Sequence, residues 1–184
     1  MRERRGARDL AYVAIGVAML TVCAWTSIPL TIPITLQTFA ICLVAALLGT
    51  RLGLWTVAVY ILLGAVGVPV FSGFRGGMGA LLGTTGGYII GFLFTALVVG
   101  LAADRLGRKT PVLVISMVIG VLLCYTFGTA WFVTVYTRSS GTIGVLTALS
   151  WCVFPYIIPD AVKIILATLL TKRLYPAVSR RRAQ

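Results

Sequence analysis

The chain has 184 residues, 59% of them hydrophobic, and a mean hydropathy of +1.02. A water-soluble fold of this size would lack the polar surface to cover so much apolar side chain, so a soluble domain is excluded. The formal charge of +12 does not point to nucleic acid, because nearly all basic residues sit in short segments between or beyond the apolar runs, where membrane topology uses them.

Apolar runs that reach or approach the roughly 20 residues needed to cross a bilayer predict six helices and an all-α integral membrane protein. The first helix is expected over residues 8–27. It is too long for a signal sequence, lacks a small-residue cleavage pattern, and is followed at once by further membrane segments. Ala7 and Ala11, then Ala14 and Ala18, form two AxxxA patterns on it. Small residues four apart let helices approach closely in lipid, which suits docking to a partner or packing within the chain.

The second and third helices are expected over 34–48 and 53–66, both short for a span. Ten of the twenty glycines then fall between Gly64 and Gly91. Glycine lets backbone turn sharply and approach a ligand closely, and non-helical backbone at membrane depth persists only where protein buries it or it lines a cavity. Val70, Phe71, Phe74, Leu81 and Leu82 give this segment apolar groups to pack, so it is expected to fold as a lid. Helices follow over 87–105 and 111–135. The connection GLAADRLGRKT superficially resembles a phosphate-binding loop, but its glycines are wrongly spaced and it follows a membrane helix.

The last helix, expected over 144–173, contains FPYIIPDAVKIILA. Asp160 and Lys163 are the acid and base well inside a predicted span. Each alone costs roughly 3 kcal/mol at mid-membrane, and at i and i+3 they can neutralise one another. Tyr156 and Ala167 extend the same face. Pro159 implies that the helix restarts or kinks there.

Six spans place both termini and two connections on one side, with thirteen basic residues, against Arg75 and Arg138 on the other. The positive-inside rule makes the thirteen-residue side, and both termini, cytoplasmic. One membrane domain is expected over 1–184, with short basic tails at 1–7 and 175–184. The four cysteines lie singly in apolar runs and read as small buried hydrophobes. No cofactor or metal is implied, and no nucleophile–base pair suggests an enzyme. Six short helices with no energy-coupling motif suit a binding subunit that borrows energy from partners.

The stretches IPITLQTFAICLVAALLG, VPVFSGFRGG, GTTGGYIIGF and PDAVKIILA together resemble the BioY family, over essentially the whole chain. That family comprises the biotin-specific substrate-binding (S) components of energy-coupling factor (ECF) transporters. The resemblance implies six helices in a prokaryotic cytoplasmic membrane and biotin bound near the outer face. It also implies AxxxA docking onto a transmembrane coupling (T) protein driven by two ATPase subunits. The acid and base of the family's last helix fall on Asp160 and Lys163, and the aromatic of its GGY motif on Tyr88. Thr84 stands where the family usually has proline. Biotin presents two ureido N–H donors and a carbonyl on an apolar body, which a carboxylate, an ammonium and aromatic rings can meet. Gln37, Phe74 and Arg75 complete the expected ligand set. An S component for another vitamin, or a small proton-coupled carrier using Asp160, are the alternative readings.

Overall fold

The computed structural model describes residues 2–30 and 32–183. Its elements, in order, are α1 (Arg2–Trp25), β1 (Ser27–Ile28), β2 (Ile34–Thr35), α2 (Gln37–Ala65), α3 (Met78–Leu82), α4 (Gly86–Arg105), α5 (Thr110–Ser140), α6 (Val145–Cys152) and α7 (Phe154–Ala183). A single 3-10 turn, Ser72–Phe74, lies between α2 and α3. Among the described residues, the regular structure is therefore helical apart from one two-stranded antiparallel hairpin, with Ser27 opposite Thr35 and Ile28 opposite Ile34.

Among the described residues, five segments are long and apolar enough to cross a membrane: Gly6–Trp25, Gln37–Ala65, Gly86–Arg105, Thr110–Arg138 and Leu146–Arg180. The second and third expected helices are joined as one element, α2. Gly49 breaks it, with φ +80° and ψ −176°, a conformation essentially confined to glycine. The chain reverses there. Gly53 packs onto the backbone of Ala45, and Gln37 at one end of α2 hydrogen-bonds Tyr60 near the other. No straight helix could bring those pairs together.

Three further boundaries depart from the sequence expectation. The last helix is interrupted at Val153, not Pro159, and α7 runs through Pro159 from Phe154. Pro155 explains the choice, because the first turn of a helix has no partner for its N–H groups and accepts proline without loss. The terminal segments expected as tails continue α1 and α7 instead. The side chains of Arg2, Arg4, Arg5, Arg181 and Arg182, counted in the charge balance, lie outside the described residues.

The first arm of α2 is buried all round from Ala40 to Ala46, whereas α5 and α7 each bury one stripe. In α5 this comprises Leu113, Ser116, Met117, Gly120, Val121, Cys124, Gly128 and Phe132; in α7, Cys152 of the preceding turn is followed by Tyr156, Asp160, Lys163, Ile164, Ala167, Thr168 and Thr171. Steps of three and four keep these residues on one face. The opposite faces expose Leu122, Ile158, Val162, Ile165 and Leu169. Water would not tolerate so continuous an apolar belt, whereas lipid does. The chain is thus a multi-pass membrane protein. In its core α4 packs between α2 and α5, while α1 and α7 lean on α2.

At the end of the bundle holding Gly49, Asp104 accepts hydrogen bonds from the backbone N–H and hydroxyl of Thr50, at 2.8 and 2.9 Å. Arg108 pairs with Asp104 at 3.6 Å, donates to the Ala46 and Ala103 carbonyls, and stacks on the Tyr175 ring at 4.0 Å. This cluster ties the α2 reversal, the α4–α5 connection and the end of α7 together.

Candidate functional site

The other end of the bundle holds a cavity of about 260 Å³. Its walls come from six places: the β1–β2 hairpin, the start of α2, the loop after α2, the start of α4, and the facing stripes of α5 and α7. The loop is folded on three of the five apolar residues expected to pack, while Phe74 and Leu82 are exposed. Val70, Phe71 and Leu81 are buried, Phe71 bridges Arg75, and the Trp25 indole N–H donates to the Pro69 carbonyl at 2.9 Å.

Asp160 and Lys163 form part of the cavity wall and are 4% and 7% exposed. The Lys163 ammonium donates to Asp160 Oδ1 at 2.7 Å. Such burial is tolerable only because the pair is matched and further donors satisfy the carboxylate. The Thr38 hydroxyl donates to Oδ1 at 2.9 Å, and the Tyr125 hydroxyl donates to Oδ2. Three helices therefore converge on one carboxylate. Lys163 retains two donors beyond the one spent on Asp160.

One wall is held by a relay. Thr35 donates to Gln37 Oε1 at 2.9 Å, Gln37 Nε2 donates to the Tyr60 hydroxyl at 2.7 Å, and Tyr60 donates to the Val70 carbonyl at 3.0 Å. It fastens hairpin, both arms of α2 and the loop in one arrangement. Across the cavity, Tyr88 stands in α4 with its hydroxyl 2.9 Å from Thr129 Oγ1. The Tyr156 hydroxyl donates to the Ile32 carbonyl, which pins the hairpin to α7.

Of the residues singled out from sequence, Asp160, Lys163, Tyr88, Gln37 and Arg75 line this one cavity. Phe74 does not. It is 64% exposed and rests on Trp25 with ring centroids 4.9 Å apart, while Phe71 supplies the aromatic wall. Thr38, Tyr125 and the hairpin residues Pro29, Ile32 and Pro33 escaped the sequence reading. A tyrosine in an otherwise apolar run, one residue after a buried-stripe position, was the available signal for Tyr125. Nothing in a single sequence indicates that its hydroxyl meets Asp160.

Ala7, Ala11, Ala14 and Ala18 lie far from this site in a different sense: all four are exposed, while Val13, Gly16, Val17 and Leu20 of the same helix are buried. The AxxxA stripe is therefore not used for packing within the chain.

The cavity lies just below the usual range for organic ligands, roughly 300–1,000 Å³. Its inner wall offers an acceptor and a cation side by side, and its remaining walls mix aromatic and aliphatic side chains with hydroxyls, Gln37 and Arg75. It can receive a compact, mostly apolar solute that carries N–H donors next to an acceptor.

The comparisons with known proteins agree with this chemistry. The BioY family model matches residues 1–180. A biotin transporter BioY from Thermotoga maritima is 38% identical over 168 residues, covering 91% of this chain and 95% of the relative. A probable biotin transporter BioY from Pyrococcus horikoshii is 35% identical over 169 residues, covering 91% and 96%. Among solved structures, the S component for biotin from an ECF-type ABC transporter matches with a TM-score of 0.83 at 28% identity, covering 95% of this chain and 94% of that one. In sequence over nearly its full length and in fold, this chain belongs to the BioY family.

Proposed function

We propose that the chain is the biotin-binding S component of an ECF-type importer, moving biotin across a prokaryotic cytoplasmic membrane. The observation that carries this reading is the buried Asp160–Lys163 pair, 2.7 Å apart, in the wall of a cavity of a BioY-family protein. Asp160 accepts ureido N–H, Lys163 donates to a biotin oxygen, and Tyr88 and Phe71 cover the apolar rings. Gln37 shapes the wall, and Arg75, exposed at the mouth, is placed to attract the valerate carboxylate.

The reading includes one membrane unit with six crossings, α2 contributing two. Its arms, residues 37–48 and 50–65, measure roughly 18 and 24 Å at about 1.5 Å per residue, short of about 30 Å of hydrocarbon. The hairpin and the 66–85 loop fill the remaining depth on the cavity side, where irregular backbone is supported because it lines a cavity. The basic end, with Arg51, Arg105, Arg108, Lys109, Lys172 and Arg173, is cytoplasmic together with both termini, and the cavity is near the outer face. Transport energy comes from two ATPase subunits through a T protein that docks on the exposed alanine stripe of α1.

Calorimetric titration of detergent-purified chain with biotin, thiamine and riboflavin tests the ligand. Tight binding of biotin alone is expected; preference for either other vitamin would reassign the substrate. Reporter fusions at each terminus test the orientation, and a terminus on the outer face would remove the six-crossing arrangement.

A further inference from the structure

The carboxylate of Asp160 is more heavily engaged than a ligand-binding acid needs to be. An ionised carboxylate has about four acceptor sites. Thr38 and Lys163 take two on Oδ1, and Tyr125 takes one on Oδ2, so a single site on Oδ2 remains among the described contacts. The three donors come from three elements: Thr38 from the first turn of α2, Tyr125 from the middle of α5, and Lys163 from α7 itself. Lys163 alone could fix the charge. It could not fix the rotation of the carboxylate plane, because both partners sit on flexible stems of the same helix. A donor on each oxygen from a different helix removes that freedom.

We propose that Tyr125, assisted by Thr38, is a positioning residue that aims the remaining Oδ2 site of Asp160 at a ligand N–H. This rests on the reading of the cavity as a biotin site. Tyr125 lines the cavity, but its hydroxyl is spent on Asp160, so its contribution to affinity runs through that carboxylate. Removing the hydroxyl leaves the cavity's shape and the ion pair in place while freeing the carboxylate to turn.

Biotin titrations of the full-length, purified wild type, Tyr125→Phe, Asp160→Asn and the double variant test this, each checked for a cooperative thermal transition well above the titration temperature. The wild type must first bind biotin; if it does not, the ligand assignment fails and the positioning role is not at issue. Given binding, Tyr125→Phe is expected to weaken it about tenfold or more, the scale of a hydrogen bond to a charged group. In the Asp160→Asn background the same change should cost less than about twofold, because the amide oxygen is drawn to Lys163 and Thr38 and an amide NH2, not an acceptor, then faces Tyr125. Should Asp160→Asn fold poorly or bind too weakly to measure, Tyr125→Phe is combined with Thr38→Val. Two donors acting through one carboxylate give a loss that departs from the product of the single losses. Independent, multiplicative losses in the measured cycle would overturn the proposal, since Tyr125 would then act by its own contact or by packing. Tighter binding by Tyr125→Phe would also overturn it, by showing that the hydroxyl competes with the ligand for Oδ2.

Discussion

Gln37 and Tyr60 are 23 positions apart within α2, and the Gln37 amide nitrogen donates to the Tyr60 hydroxyl at 2.7 Å. At about 1.5 Å per residue, a straight helix would hold them roughly 35 Å apart. The contact exists because Gly49 reverses the chain, and it places both arms of α2 behind the cavity wall. A site at one end of the bundle thus depends on a glycine at the other.

Replacing Gly49 with alanine is therefore expected to destabilise the protein. The backbone there has φ +80°, and a Cβ would lie 2.3 Å from Asp104 Oδ1, which pairs with Arg108, and 2.8 Å from Oδ2, which accepts from Thr50. Strain of this kind costs about 1–3 kcal/mol. A thermal unfolding midpoint in detergent should fall by several degrees, with biotin restoring part of the loss. An unchanged midpoint would mean that the reversal is held by packing alone.

The ion pair gives the sharpest expectation for binding. Asp160→Asn and Lys163→Met each leave a buried charge without its partner, which typically costs about 3–5 kcal/mol. Where that cost falls on the ligand-bound state, biotin affinity should drop several hundredfold. Removing both charges should recover folding without recovering binding. Near wild-type affinity in both single variants would make the pair a structural tie.

Gly128 packs directly beneath the Tyr88 ring. A Cβ at that position would meet the ring carbons at 2.3–2.6 Å, so Gly128→Ala should push the ring toward the cavity. Biotin affinity is expected to fall about tenfold while the fold persists, since overpacking costs about 1–3 kcal/mol. If Gly128→Ala binds normally, Tyr88 is not a tight wall of the site.

The exposed alanines of α1 bear on coupling. Ala14→Trp or Ala18→Trp adds volume to a face that the chain itself leaves uncovered. Ligand binding by the isolated chain should be nearly unchanged. Assembly with the T protein and ATPase subunits, followed by co-purification, should fail, because close helix approach tolerates little added bulk. Lost binding with retained assembly would turn the assignment around.

Membrane residence, the family and the acid–base pair were legible without coordinates. Mean hydropathy separates lipid from water, and two opposite charges one turn apart in an apolar helix have few physical excuses. The i, i+3 and i, i+4 spacing of Tyr156, Asp160, Lys163 and Ala167 also predicted their shared burial, because helical periodicity is local. Helix ends were less certain where two signals competed, as with Pro155 and Pro159.

What the amino-acid order determined by itself was which face of each helix is buried and which charges must be matched. Only the tertiary structure decided which elements meet. Thr38, Tyr125 and Asp160 are separated by up to 122 positions, and no local propensity relates them. Phe71 and Phe74 are three residues apart in one glycine-rich loop, yet one lines the cavity and the other lies on Trp25. Their difference depends on a turn at Gly73, whose φ of +70° swings the chain between them. A glycine permits many such turns, and the surrounding packing selects one.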